Sequence, residues 1–231
     1  MANKTFPRRI VRFLVRGFAG LLVLLVAVLL LFRFINPPTT AFMLAYGISY
    51  PDNKVHQQWI DYDSISRWMP LAVVASEDQR FPDHWGVDFA AIRKALAEYR
   101  AGDGLRGAST ITQQTAKNLF LWNGRSFIRK ALEAGLALGL EALWSKQRIL
   151  EVYLNVAEFG PGIYGVEAAS QAYFGISARY LSPSQAARLA AVLPNPKVLS
   201  AGNPSAYVWE RAGWVERQMH QLSGPGYLRE M

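Results

Sequence analysis

Cysteine is absent from this 231-residue chain, which excludes disulfides, thiolate metal sites and a cysteine nucleophile. Histidine is scarce. His56, His84 and His220 stand in unrelated settings, so neither a His-rich metal site nor a Ser/His/Asp arrangement finds its partners. The chain has no glycine fingerprint for a nucleotide, no internal repeat, and no alternating β-branched run long enough to argue for a sheet. Acidic residues are missing from residues 1–36, which hold Lys4, Arg8, Arg9, Arg12, Arg16 and Arg33. Those six account for most of the net charge of +8, because the rest of the chain has 19 basic residues against 17 acidic ones. A nucleic-acid partner needs positive charge spread over a folded face; here it is gathered at one end, and no nucleic acid is expected.

What is present is, first, an uncharged apolar run from Gly17 to Phe32. Extended through Arg33 to Ile35 it approaches the roughly 20 residues that span a bilayer, with Arg33 placed to snorkel to the headgroups. Five positive charges precede it, which predicts a cytoplasmic N-terminus and an exported body. Leu-Leu-Leu-Phe-Arg-Phe-Ile-Asn-Pro-Pro offers no small-residue cleavage site, so the run reads as an uncleaved anchor. The expected organisation is a basic tail over residues 1–16, a signal-anchor over 17–35, a juxtamembrane connector over 36–63 and one domain over 64–231.

The body, at 51% hydrophobic residues for the chain as a whole, is too apolar for disorder and is helical by pattern. Helices are predicted over Pro70–Glu77, Asp88–Arg100, Thr110–Leu119 after a Ser109 cap, and from a Ser126 cap to Trp144. Others run from a Ser145 cap to about Ala157, over Gly165–Phe174, from the capping box Ser182-Pro183-Ser184-Gln185 to Pro194, and over Pro204–Leu222. Asn36-Pro37-Pro38-Thr39-Thr40 ends the membrane segment. Residues 41–63 show no clear period.

Three polar clusters interrupt these helices. In the first, Glu77-Asp78 follows the apolar run Leu71-Ala72-Val73-Val74-Ala75, which places Glu77 at a core edge where partial desolvation favours acid–base work. A solvated helix end with a structural His84 is the plainer reading. In the second, Gly107-Ala108-Ser109-Thr110-Ile111-Thr112-Gln113-Gln114-Thr115-Ala116-Lys117-Asn118, a helix start supplies free backbone N–H groups for an anion, and Gln113, Gln114, Lys117 and Asn118 add donors. An ordinary capped polar helix has the same spacing. In the third, Arg125, Arg129, Lys130, Lys146 and Arg148 make either a basic wall for a diphosphate, with Glu133 orienting a cation, or simple ion pairs such as Arg129 with Glu133.

In order and separation these clusters resemble the lipid II-polymerising peptidoglycan glycosyltransferases of glycosyltransferase family 51, most of all the monofunctional biosynthetic transglycosylases. The residues that carry the resemblance are Glu77-Asp78-x-x-Phe81-x-x-His84-x-Gly86 and Gly107 to Gln114. Then come Arg129-Lys130-x-x-Glu133, Lys146-x-x-Ile149-Leu150-Glu151-x-Tyr153-Leu154-Asn155, and Gly165 to Gly175. They cover roughly residues 70–200. The one departure is Ala108, where the family commonly has a second glycine.

The resemblance implies a mainly α, lysozyme-like fold of two lobes with a cleft and a membrane-facing hydrophobic region, carried on one N-terminal transmembrane helix. It implies inverting transfer that joins lipid II units into glycan strands and releases undecaprenyl diphosphate. Glu77 would be the base for the acceptor GlcNAc 4-hydroxyl and Glu133 would serve the donor side. Asp78, Phe81, His84, Ser109, Thr110, Gln113, Gln114, Lys117, Asn118, Arg125, Arg129, Lys130, Lys146 and Arg148 would bind substrate. A divalent cation, Mg²⁺ or Mn²⁺, would accompany the diphosphate. The expected setting is the bacterial inner membrane with a periplasmic catalytic domain. The expected partners are lipid II, the growing strand, the membrane and cell-wall synthesis or division proteins. With the chain ending at Met231, no transpeptidase domain is expected. The competing readings are a lytic transglycosylase or lysozyme-type hydrolase, and a non-enzymatic membrane-tethered scaffold; basic residues around the third cluster argue against the hydrolase, which releases no diphosphate.

Overall fold

The structure, a computed structural model, describes residues 5–101, 109–124 and 126–229, with the side chains of residues 5–8 and 96 left aside. Gly107, Ala108 and Arg125 of the expected site therefore lie outside the described residues. The chain divides into two compact units, residues 1–37 and 38–231.

In the first unit a single helix, α1, covers Thr5–Phe34. It runs through the basic segment as well as the apolar run. Its stretch Arg9–Phe34 is 26 residues long and contains an 18-residue window of mean hydropathy 2.7, long and apolar enough to cross a membrane.

The second unit is mainly helical. α2, Ala41–Ser49, is capped by the Thr40 hydroxyl, which accepts from the Met43 N–H. It lies where no period was legible, because its apolar residues surround the helix instead of forming a stripe. α3, Trp68–Glu77, is the central helix: Met69 and Leu71 to Ala75 are all buried. A helix apolar on every side must be enclosed on every side, and each Val, Leu or Met so enclosed contributes about 1.5–3 kcal/mol. Its enclosure comes from α9, Pro183–Val192, and α10, Ala206–Gln221. The alanines Ala186, Ala187, Ala190 and Ala191 of α9 are fully buried and let these helices approach closely.

A second group forms around α5, Ile111–Phe120, which packs on α6, Phe127–Leu143, and α7, Lys146–Val156. α5 is polar yet buried, so its polar atoms must find partners. Thr115 Oγ1 donates to the Ile111 carbonyl at 2.9 Å and Thr112 Oγ1 to Glu141 at 2.7 Å. The N-terminal cap is Thr110, one residue later than expected, in a reciprocal capping box with Gln113. The caps at Ser126, Ser145 and Ser182 are present as expected.

The unit also contains α4, Phe89–Arg100, α8, Val166–Phe174, and a three-stranded sheet that packs on α8. Its strands are β1 (His56–Gln57), β2 (Glu158–Gly160) and β3 (Ile163–Tyr164), in the order β1-β3-β2. β1 runs parallel to β3 and β2 antiparallel. Strands of two or three residues are too short for alternation to announce them. The apolar positions that suggested α4 are not its buried face: Phe89 is 66% and Tyr99 58% exposed. Phe127 and Ile128 at the start of α6 are exposed as well.

Candidate active site

Glu77 is the last residue of α3, where the apolar run gives out. Its side chain is only 14% exposed and its two oxygens meet different partners. Oε2 accepts from Gln114 Nε2 on α5 at 3.0 Å, and Oε1 faces the Arg211 guanidinium on α10 at 3.6 Å. Gln114 is oriented in turn by the Tyr153 hydroxyl of α7, which donates to Gln114 Oε1 at 3.1 Å. Burial raises the Glu77 carboxyl above its ordinary range, against the Gln114 hydrogen bond and Arg211, which favour the charged form. Burial also pushes the Tyr153 phenol well up, so it remains a proton donor to Gln114.

Asp78, the next residue, turns inward. Its carboxylate receives His84 Nε2 at 2.9 Å on both oxygens and the backbone N–H of Ile111, the first residue of α5, at 2.9 Å on Oδ2. The end of α3 is thereby joined to the start of α5. Phe81 is fully buried against His84 and lies under the Lys146 ammonium, 4.5 Å from the ring centroid. Lys146 also donates to the His84 carbonyl at 2.6 Å and pairs with Glu141 at 2.7 Å. Gly86 has φ of +74°, and a Cβ there would meet Glu141 Cγ at 3.0 Å and the Ala137 carbonyl at 3.1 Å, so only glycine fits. Thr110 donates to the Gly86 carbonyl at 2.6 Å. Phe81, His84, Gln113 and Lys146 thus direct rings or polar atoms to one another, to Asp78, Thr110 and Glu141, and to backbone.

Glu133, on α6, is 2% exposed. Arg129 Nη1 meets its Oε2 at 2.5 Å and Lys130 Nζ its Oε1 at 2.5 Å, while Lys130 also donates to Ser109 Oγ at 2.7 Å. Lys117 of α5 sits in the field of both glutamates and of Arg129 and Lys130; burial lowers its ammonium below the usual lysine range. Arg148 points elsewhere, pairing with Glu151 at 2.7 Å beside the Trp59 and Trp144 rings.

Two depressions flank this arrangement. One, of about 330 Å³, is lined by Glu77, Asp78, Arg80, Ser109 and Thr110 among others. The other, of about 230 Å³, is lined by Gln114, Lys117, Asn118, Tyr153, Glu158 and Lys197 among others. A cage for a divalent cation does not fit here. Both Glu133 oxygens are taken by cationic side chains, and no group of three His, Asp or Glu side chains placed to hold a metal exists among the described residues.

Arg211 and the orienting role of Tyr153 were not singled out from the sequence. Arg211 carried a signal: on α10 the buried residues are Val208, Ala212, Val215 and Met219, and Arg211 falls beside that stripe. A charge at a seam position needs a partner, and Glu77 is it. Asn123, Glu158, Asn195 and Lys197, which line the second depression, left no comparable trace.

The mainly helical fold agrees with the comparisons to known proteins. The family described as Transglycosylase matches residues 46–220, and the chain belongs to that family of enzymes. It is 67% identical over 208 residues, 90% of both chains, to a biosynthetic peptidoglycan transglycosylase of Marinomonas sp. (strain MWYL1). It is 52% identical over 227 residues to one of Cronobacter sakazakii (strain ATCC BAA-894), covering 96% of this chain and 94% of the relative. A third, from Escherichia coli (strain ATCC 8739), is 58% identical over 176 residues, 76% of this chain and 73% of the relative.

Proposed function

We propose that this enzyme is a peptidoglycan transglycosylase that polymerises lipid II, with Glu77 as the general base and the Lys117, Arg129 and Lys130 cluster receiving the departing diphosphate. The observation that carries the reading is the placement of Glu77: raised by burial, yet kept ionisable by Gln114 and Arg211, on the wall of a depression that also holds Ser109, the partner of Lys130.

The chemistry follows from these two ends. Glu77 takes the proton of the acceptor sugar hydroxyl as that oxygen forms its bond to the donor's anomeric carbon, from the face opposite the leaving group. The bond from that carbon to the diphosphate breaks, and the undecaprenyl diphosphate leaves with the electron pair. A diphosphate needs no proton to leave. It needs positive charge, and fixed cations in a poorly hydrated site supply that without reorganising. Glu133 holds Arg129 and Lys130 in place for this role. A divalent cation travelling with the substrate would be held by phosphate oxygens, and no step here runs through it.

The setting supports the reading. An apolar helix of spanning length precedes the catalytic unit, and Phe127 and Ile128 stand exposed beside Arg129 and Lys130. Apolar side chains next to phosphate-binding cations suit a substrate whose diphosphate sits at a bilayer surface. We place the protein in the bacterial inner membrane, N-terminus inside and catalytic unit in the periplasm. The test is incubation of the purified protein with labelled lipid II. Growth of long glycan supports the proposal; shortening of preformed glycan, with no growth, overturns it in favour of a hydrolase.

A further inference from the structure

Away from the glutamates, at the other end of α3, lies a larger groove of about 1060 Å³. Its wall includes Arg67 and Trp68 at the start of α3, Asp63, Gln147 at the start of α7, Arg179, and Arg229 near the C-terminus. Trp68 and Glu77 are separated by nine helical steps, about 13 Å along the axis.

Positive charge predominates along the wall of this groove. Arg80, Arg129, Arg148 and Arg211 each meet a carboxylate. Arg67, Arg179 and Arg229 are exposed, and among the described residues none of them meets one. Among the described residues that line it, three guanidiniums stand against the single carboxylate of Asp63.

We infer that this groove binds an acidic, extended peptide segment of a partner protein. Guanidinium groups pair with carboxylates through two parallel hydrogen bonds, a geometry that favours planar anions held side-on. Arginine and tryptophan are the side chains that dominate binding energy at protein interfaces, and the groove brings three of one and one of the other together. A small inorganic anion fills a minor fraction of the volume, which matches the upper end of the range, about 300–1000 Å³, for sites that enclose drug-sized ligands. A bilayer is flat on this scale and does not enter a concavity. The site is separate from the one assigned to catalysis, so its occupant can stay bound through turnover.

The test uses the full-length chain in detergent and a fluorescein-labelled octapeptide with Glu or Asp at alternate positions. The control peptide carries Gln and Asn instead, and binding is read by fluorescence anisotropy. The acidic peptide is expected to bind saturably, more weakly as salt rises, and the control about tenfold more weakly or worse. Replacing the three arginines, R67Q/R179Q/R229Q, is expected to cost about tenfold in affinity, with each exposed pair contributing a few-fold, while the rate on lipid II stays within about twofold. Arg179→Gln alone, on an exposed turn, is expected to cost a few-fold and decides the matter if the triple variant does not fold. Equal binding of both peptides, or unchanged binding by the triple variant, overturns the inference. So does a triple variant that keeps its peptide affinity but loses binding to anionic vesicles, since that assigns the groove to the membrane. Peptide binding does not require lipid II, so a failed polymerisation assay leaves this result standing.

Discussion

Glu77 and Glu133 are the same residue type, both removed from water, and they behave differently because of what surrounds them. Glu133 has a cation on each oxygen, so its charge is cancelled and its geometry fixed. Glu77 has one amide and one guanidinium at 3.6 Å, too little to offset its burial, and is pushed toward holding a proton. A fully compensated carboxylate suits the part of a strut; one left short of compensation suits the base proposed for Glu77.

The sharpest way to break this contrast is Glu77→Gln. Loss of a positioned base costs about 10²–10⁴-fold in rate, read as polymer formed from lipid II. The same change is expected to leave the melting temperature equal or higher. A carboxyl whose pKa is raised on folding binds protons more tightly in the native state, so its ionisation removes stability as pH rises from the unfolded value through the raised one. An uncharged amide escapes that loss.

Glu133→Gln is expected to do the reverse in stability. It leaves Arg129 and Lys130 without their shared anion, and breaking a buried pair costs about 3–5 kcal/mol, reduced here because Lys130 is 43% exposed. Thermal denaturation of the two variants side by side checks the opposition of sign. If both melt together below wild type, the distinction between strut and base fails.

Arg211→Gln is expected to move the acid limb of the pH–rate profile to higher pH, since a cation that favours ionised Glu77 is gone, with a few-fold loss near neutrality. A uniform fall in rate with an unmoved limb would show that Arg211 only packs. At the cationic end, inorganic pyrophosphate is expected to bind more weakly as pH rises through the lowered Lys117 value. Isothermal titration calorimetry across pH checks this, and Lys117→Gln should flatten the dependence. Tyr153→Phe is the mildest change. It frees the carbonyl of Gln114, and a hydrogen bond of about 1 kcal/mol corresponds to roughly a fivefold loss of rate.

Much of this was legible in the sequence because helix caps are local chemistry. Ser126, Ser145 and the Ser182–Gln185 box each announce a helix within four residues. What depended on distant contacts was not. α2 has no polar face to give a period, and strands as short as His56–Gln57 carry no alternation. Glu77 was visible as the point where an apolar run ends, but Arg211 lies 134 positions further on and meets it only through the packing of α10 on α3. The motif also does not say which of its members face the cavity. Phe81, His84 and Lys146 are as fixed in spacing as Glu77, and they are spent on holding a carbonyl, a carboxylate and a ring.

The joint at Asp78 has a mechanical consequence. One carboxylate clasps both His84 and the leading amide of α5, so the helix that delivers Glu77 and the helix that delivers Gln114 and Lys117 shift as one body. Under the proposed function, a lengthening polymer has to slide after every addition. With both helices tied at one carboxylate, the slack for that sliding would come from the strand and not from the wall that holds Glu77 and Gln114.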